Sequence, residues 1–324
     1  MDKHGYILGI GAANIDVMGR SRRVLVPEDS NPGHIELSVG GATHNACENA
    51  ARLSVPVSLL TVTGEDHFGS IIRTACQKAG INTDHFITFP DCPSSSYMSV
   101  HNRDGEMNIA VSDMSILQKL TVEDLEKKRP LIEGASVITF DTGLPQQVID
   151  YLLKEYSAKV PIFADTVSTT YAEKLVDNLS GIHTLKPNLL EAEVLWGHKI
   201  KRADDLLTAA DFILSRGVKR VFISLGKQGV FYRDAEGQTL YRRTRRLDRI
   251  ANVTGAGDAF LGALLYAHVR GFSLEQTLET AMTVSVLTVQ DERTISQSIS
   301  RQSVEKSIPL YRDEQDYSIT SITF

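Results

Sequence analysis

The sequence predicts an α/β protein: a mainly parallel sheet covered by helices, with a small antiparallel layer beside it. Three observations predict it. Short β-branched or small apolar runs alternate with segments whose apolar residues recur at helical spacing, the pattern of parallel strands joined by crossover helices. Residues 84–112 break that alternation with extended segments around the turn Asn102-Arg103-Asp104-Gly105, a strong hairpin signal. No internal repeat or low-complexity linker divides the 324 residues, so one domain is expected over 1–312, followed by a poorly tied tail at 313–324.

In chain order, residues 6–12 are small and apolar and read as a buried strand. Residues 42–53 place Ala46, Ala50 and Leu53 on one stripe and read as a helix. The β-branched run 57–62 is a strand. Residues 68–78 carry Phe68, Ile71, Ile72 and Ala75 at helical spacing and stop at Gly80. Extended segments at 35–39, 96–101 and 107–111 supply the antiparallel layer, a lid drawn from about 31–40 and 84–112. The α/β rhythm resumes with a strand at 137–140 and a helix that Pro145 opens and that runs to about Tyr156. Further strands are expected at 160–164, 182–185, 221–225 and 230–233, and helices at 189–196, 203–215, 259–269 and 274–289.

Composition excludes several classes. Apolar residues make up 42% and charged residues 23%, enough for a core and against wholesale disorder. The net charge of −6 argues against a nucleic-acid coat or an anionic-membrane binder. The basic cluster Arg242, Arg243, Arg245 and Arg246 reads as a solvated loop or strand edge. No apolar run approaches the span of a bilayer, and Met1-Asp2-Lys3-His4 leads straight into the first strand, so no secretory signal is expected. Cys47, Cys76 and Cys92 are odd in number and lack CxxC spacing, which fits a reducing, cytoplasmic compartment.

Four segments could carry chemistry. In Asn252-Val253-Thr254-Gly255-Ala256-Gly257-Asp258 a small-residue loop enters an apolar helix. Unpaired N–H groups at a helix N-terminus bind anions, and glycines let a phosphate approach the backbone. Asp258 falls in the first turn, where a capping role alone would also explain it. In Lys186-Pro187-Asn188-Leu189-Leu190-Glu191 the residues Asn188 and Glu191 share a face of a first turn. They could form a capping box, or set Glu191 near a hydrated Mg²⁺ with Asn188 close to phosphates. Asn14-Ile15-Asp16 follows the first strand, at the sheet end where open α/β sheets bind ligands, and a carboxylate there can accept two sugar hydroxyls. Gly40-Gly41 permits close backbone approach, and Asn45 follows on the next helix.

Other signals are weaker. Gly9-Ile10-Gly11 lacks the third glycine and the helix of a dinucleotide fingerprint, so an NAD enzyme is not expected. Gly226-Lys227-Gln228-Gly229 reads as a turn between strands, and no Walker loop or zinc motif occurs. His44 and His67 read as surface or capping groups.

Taken together, Gly40-Gly41 with Asn45, Thr63-Gly64-Glu65-Asp66, Asn188 to Glu191 and Gly255-Ala256-Gly257-Asp258 resemble the ribokinase-like carbohydrate kinase family in order and spacing. Details such as Ser96-Tyr97-Met98-Ser99, Ser112-Asp113-Met114 and Asn252-Val253-Thr254 are similar to its pseudouridine kinase branch. The resemblance implies a three-layer sandwich with a β lid, and ATP-dependent phosphorylation of a ribose-type 5′-hydroxyl. It implies that Asp258 is the catalytic base and that Gly255, Ala256 and Gly257 form the anion hole. Asn14, Asp16, Gly41 and Asn45 would hold the sugar, with Asp113 facing the base. Asn188, Ser224, Gly226, Gly229 and Thr254 would hold ATP, and Glu191 the Mg²⁺.

Two positions depart from the pattern. Asn252 stands where potassium-activated members often carry Asp, so K⁺ is not settled by the likeness, and Thr166 follows Asp165 where the branch usually has Pro. A homodimer meeting through the lids is also implied, with no nucleic-acid or membrane partner. The rival readings are a ribokinase, an adenosine-type or another sugar kinase of the same family, and a non-catalytic sensor that keeps the fold.

Overall fold

The computed structural model describes residues 5–245, 247, 249–313 and 318–323; Arg246 of the basic cluster lies outside the described residues. The first half runs β1 (Ile7–Ile10), β2 (Asn14–Ser21), β3 (Gly33–Gly40), α1 (Ala42–Arg52), β4 (Val57–Leu60), β5 (Val62–Gly64), α2 (His67–Lys78), β6 (Ile81–Asn82), β7 (Ile87–Phe89), β8 (Ser96–His101) and β9 (Met107–Asp113). Next come α3 (Val122–Glu126), α4 (Arg129–Glu133), β10 (Val137–Asp141), α5 (Gln146–Tyr156), β11 (Ile162–Asp165), α6 (Thr169–Ala172), β12 (Thr184–Leu185), α7 (Leu189–Trp196) and α8 (Ala203–Ser215). The chain finishes with β13 (Arg220–Ser224), β14 (Val230–Asp234), β15 (Thr239–Arg242), α9 (Ala256–Arg270), α10 (Leu274–Val289) and α11 (Arg301–Tyr311).

Nine strands form the main sheet in the order β15-β14-β13-β12-β11-β10-β1-β4-β6. From β13 to β6 every pairing is parallel, while β14 and β15 add an antiparallel edge. Because strand side chains alternate, β1 sends Leu8 and Ile10 to one core and Ile7 to the other. The first core packs under α3 to α8 through Leu125, Leu152, Leu195 and Ile213. The second packs under α1, α2 and α9 to α11 through Ala46, Ile72, Leu264, Ala281 and Val304. Helices therefore cover both faces, and the predicted three-layer α/β sandwich is the fold. Among the described residues no helix is long and apolar enough to cross a membrane.

The lid is a second sheet in the order β3-β2-β8-β9. Its central strand, Asn14–Ser21, was expected as the loop leaving the first strand. Asn, Asp, Gly and Ser in that segment favour turns, but the strand is fixed by ladders on both sides, to β3 and β8. The segment 57–62 is likewise two strands: β4 joins the main sheet and β5 pairs with β7.

Two further differences concern the C-terminal third. α11, unpredicted, is capped by Ser300 and buries Val304, with Pro309 near its end. The described part of the tail is tied down: Ile322 is buried, and Thr323 donates from its N–H and Oγ1 to Gln228 Oε1 at 2.9 Å.

Candidate active site

At the carboxyl ends of β1, β10, β11 and β12 the chain gathers its buried polar groups. α9 enters through Gly255, whose φ is +82°; a Cβ there would come within 2.2 Å of the Thr294 carbonyl oxygen. Only glycine fits that left-handed junction. No side chain caps the helix; the Ala256 N–H donates to the Val253 carbonyl at 3.4 Å, while the N–H groups of Gly257 and Asp258 have no protein partner among the described residues. Gly255, Ala256 and Gly257 thus make up the uncapped entry to α9. Asp258, third in the helix, accepts a hydrogen bond from Asn45 Nδ2 at 2.7 Å. Burial, with Asp165 beside it, pushes its carboxyl up to about 7; the Asn45 amide and Lys186 pull the other way.

Lys186, which the motif reading passed over, sits at the centre of this group. It is 5% exposed, and its Nζ lies 3.5 Å from Asp165 Oδ1. A Cβ on Gly257 would stand 3.3 Å from the same nitrogen. Burial opposes its charge, but Asp165, Glu191 and Asp258 outweigh burial and raise its pKa, so the ammonium stays protonated beside the start of α9. The available signal was its place, one residue past a strand end and two before Asn188.

Asn188 and Glu191 do form a capping box on α7. Glu191 Oε2 accepts from the Asn188 N–H at 2.8 Å and from Thr166 Oγ1 at 2.5 Å, while Oε1 accepts from Asn188 Nδ2 at 2.8 Å. Thr166 therefore holds the acid in place through its hydroxyl, which a proline could not do. The carboxylate is 3% exposed and keeps lone-pair capacity on Oε1. It fits an acceptor for the waters of a hydrated Mg²⁺ better than a direct ligand, and among the described residues no cluster of three metal-ligating side chains occurs.

Next to the turn 186–188 lies the turn between β13 and β14. Asn188 bridges to Ser224, and the Ser224 N–H donates to the Pro187 carbonyl at 3.0 Å. Gly226 and Gly229 shape that turn; a Cβ on Gly229 would meet the Arg242 carbonyl oxygen at 2.0 Å. Thr254 is exposed, its N–H donating to Asn252 Oδ1 at 2.9 Å, and Asn252 Nδ2 donates to the Glu292 carbonyl at 3.1 Å. The neutral amide of Asn252 is thus engaged in holding the anion loop to the 291–294 segment.

On the lid side, Asn14 Nδ2 donates to Asp16 Oδ1 at 2.6 Å. Burial raises the Asp16 carboxyl, and that bond partly offsets it. A Cβ on Gly40 would come 2.3 Å from Asp16 Oδ2. Gly41, at φ +104°, lies against the Ala12 carbonyl and accepts from the Asn45 N–H at 2.8 Å. Asp141 ties this corner together, accepting from the Ala12 N–H at 2.8 Å and Thr43 Oγ1 at 2.6 Å. Asn14, Asp16, Gly41, Asn45 and Asp258 accordingly follow one another from the lid base to the helix N-terminus.

Asp113 does not join them. It pairs in register with Ser96 and Ile15, one residue out of phase with Asp16, so it faces the other side of the lid. It is exposed, and its Oδ1 accepts from the Ser115 N–H at 3.0 Å; the Ser115 side chain and then this N–H lower its pKa. The expected contact with substrate is corrected to a turn-capping role. His44 is the other correction: it is wholly buried rather than a surface group.

A family model described as pfkB family carbohydrate kinase matches residues 5–301. Over 300 residues the chain is 34% identical to the pseudouridine kinase of Escherichia coli (strain K12), spanning 93% of this chain and 95% of that one. Among solved structures, a carbohydrate kinase from Agrobacterium tumefaciens superposes with a TM-score of 0.85 at 28% identity, over 95% of this chain and 98% of that one. The Arabidopsis thaliana ribokinase, solved with ribose and ATP, superposes with a TM-score of 0.80 at 22% identity, over 94% and 98% of the two chains, a likeness of fold.

Proposed function

The chain belongs to the pfkB family of carbohydrate kinases, and from that premise we propose that it transfers the terminal phosphoryl group of ATP to the ribose 5′-hydroxyl of a nucleoside, pseudouridine first among them. One observation carries the chemistry. A carboxyl poised near neutrality stands in the open first turn of a helix that begins at a left-handed glycine, with a buried ammonium beside it.

Asp258 takes the proton of the attacking hydroxyl as its oxygen meets the phosphorus in line. The N–H groups of residues 255–257, the helix dipole and Lys186 Nζ stabilise charge on the moving group. Asp16, steadied by Asn14, accepts the sugar hydroxyls, and Asn45 with the Gly41 backbone sets the distance of the ribose from Asp258. Ser224, Gly226, Gly229, Asn188 and Thr254 line the path of the nucleotide. Mg²⁺, when bound, would supply charge neutralisation, and Glu191 would be the residue that holds its waters. The amide of Asn252 is neutral and already engaged, so no step is assigned to K⁺. The lid shuts water out of the site, which protects ATP from hydrolysis.

The reading extends to assembly and compartment. The lid face opposite Asp16 presents Ile35, Leu37, Met98, Ile109 and Val111, each more than half exposed. A patch of that kind fits a second copy of the same lid, hence a homodimer. Free cysteines, two of them buried, fit a reducing cytoplasm.

For pseudouridine over uridine, the extra ring N–H needs an acceptor. Ser112 shares the face of Asp16 and Asn108 stands at the bulge of the same strand; these two are the candidates for it. An acceptor left unpaired against uridine costs about 1–3 kcal/mol, or roughly tenfold to hundredfold in kcat/KM. The test is kcat/KM with ATP and Mg²⁺ for pseudouridine, uridine, ribose and adenosine. Pseudouridine should lead; if ribose or adenosine leads, the substrate is wrong and the kinase class stands. No ATP turnover with any of them would favour a sensor.

A further inference from the structure

Behind Asn45 the structure holds a buried chain of side chains that the phosphoryl-transfer reading does not use. His44 is fully buried on α1, and its Nδ1 lies 3.2 Å from Asn45 Oδ1. On the far side of the ring, Nε2 is 3.5 Å from Glu48 Oε2 and makes no hydrogen bond. Glu48 is itself engaged through Oε1, which accepts from Arg52 Nε at 3.0 Å and Nη2 at 2.7 Å. Asn45 passes the chain on, Nδ2 donating to Asp258 Oδ2 at 2.7 Å.

An amide has a donor end and an acceptor end, and a carboxylate only accepts. For Asn45 to serve Asp258, its NH₂ must face the carboxylate and its oxygen must face the ring. The oxygen then requires a proton on His44 Nδ1. We propose that His44 is a positioning residue: its Nδ1–H fixes the Asn45 amide in the one orientation that donates to Asp258.

The inference rests on the kinase reading for the role of Asp258 and deepens it. Without the imidazole proton, the Asn45 amide is free to flip and turn its oxygen toward the carboxylate. Two acceptors would then face each other unless Asp258 took a proton, so the flip favours the protonated acid. Burial keeps His44 below its ordinary range, although Glu48 and the Asn45 oxygen favour the charged ring. Asp258 is faced by Lys186 from the β12–α7 turn, Asp165 from β11, Asp141 from β10 and Asn45 from α1. His44 is faced by Glu48 on its own helix, with Arg52 behind it.

Three variants separate positioning from packing. His44→Asn keeps an N–H near the place of Nδ1, His44→Gln puts its amide near Nε2, and His44→Leu fills the space with no donor. In the pH profile of kcat/KM, the acid limb should move up by about half a unit or more for Leu and Gln, roughly a threefold loss below the limb. His44→Asn should keep the wild-type limb, and KM for ATP should hold in all three. A wild-type limb in Leu and Gln, or an equal shift in Asn, overturns the proposal. Should Leu fail to fold, the Gln and Asn pair decides. Carboxyl ¹³C NMR of Asp258 against pH reads the same shift in protein that turns nothing over. A dead wild type would therefore sink the kinase reading, while an unmoved carbon titration in Gln would sink this one.

Discussion

Asp258 holds a buried carboxyl that ionises near neutrality, and both activity and stability should register it. Asp258→Asn should keep ATP binding yet lose turnover by about 10²-fold or more. In the wild type the rate should rise with pH through about 7 as the base form appears. The stability sign is the opposite. A carboxyl whose folded pKa is raised from near 3.8 favours folding fully below the ordinary value and loses that contribution as pH rises through about 7. Asp258→Asn should therefore raise Tm more at pH 8 than at pH 5; an equal gain at both would contradict the buried ionisation. Lys186→Met should cut kcat by about 10²-fold with little change in sugar KM, and a variant that keeps kcat would return Lys186 to a structural partner of Asp165. The glycine loop, Asp258, Asn188 and Glu191 were legible because their spacing is local. Lys186, Thr166 and His44 were not, because each acts through partners distant in sequence or through burial that no local pattern reports.

At the scale of elements, the junction into α9 is the most constrained. Gly255→Ala would place a methyl group 2.2 Å from the Thr294 carbonyl oxygen in a left-handed conformation. The conformation alone costs about 1–2 kcal/mol before the clash is relieved. We expect a lower Tm and a raised KM for ATP, since the loop that moves carries the open N–H groups; unchanged values would mean that the junction adapts. The boundaries of α7, α8 and α10 were read correctly; capping boxes at Asn188 and Ser273 mark the starts of α7 and α10. The central lid strand β2 and the edge strand β15 escaped. Turn-favouring residues mark the first, which depends on a ladder to β8, far along the chain; β15 pairs with its neighbour β14 in a local hairpin.

For the molecule as a whole, the three-layer sandwich leaves one face unfinished. Ile35 and Ile109 are 69% and 59% exposed, and Leu37, Met98 and Val111 adjoin them on the same side of the lid. Light scattering at micromolar concentration should give a dimer mass. Replacing Ile35 and Val111 together with lysine should give a monomer that folds normally, since neither side chain enters the core. A wild-type monomer, or a doubly substituted dimer, would contradict pairing through the lid. The fold class and the position of the lid were legible from the interrupted alternation of strands and helices. The tethering of the tail to Gln228 was not, because a single amide and one buried isoleucine leave no periodic trace.

The alternation of β2 and β9 has an evolutionary consequence. Along these two strands, Asn14, Asp16 and Ser112 look to one side, while Val17, Ile109 and Val111 look to the other. If the lid binds ligand on one face and a second copy on the other, as proposed, neighbouring codons would answer to different selective pressures. A one-residue insertion or slip would exchange the two faces at once, whereas point mutations can change either side alone. A mutational library restricted to alternate positions of the lid would accordingly sample new substrates without sampling new assemblies.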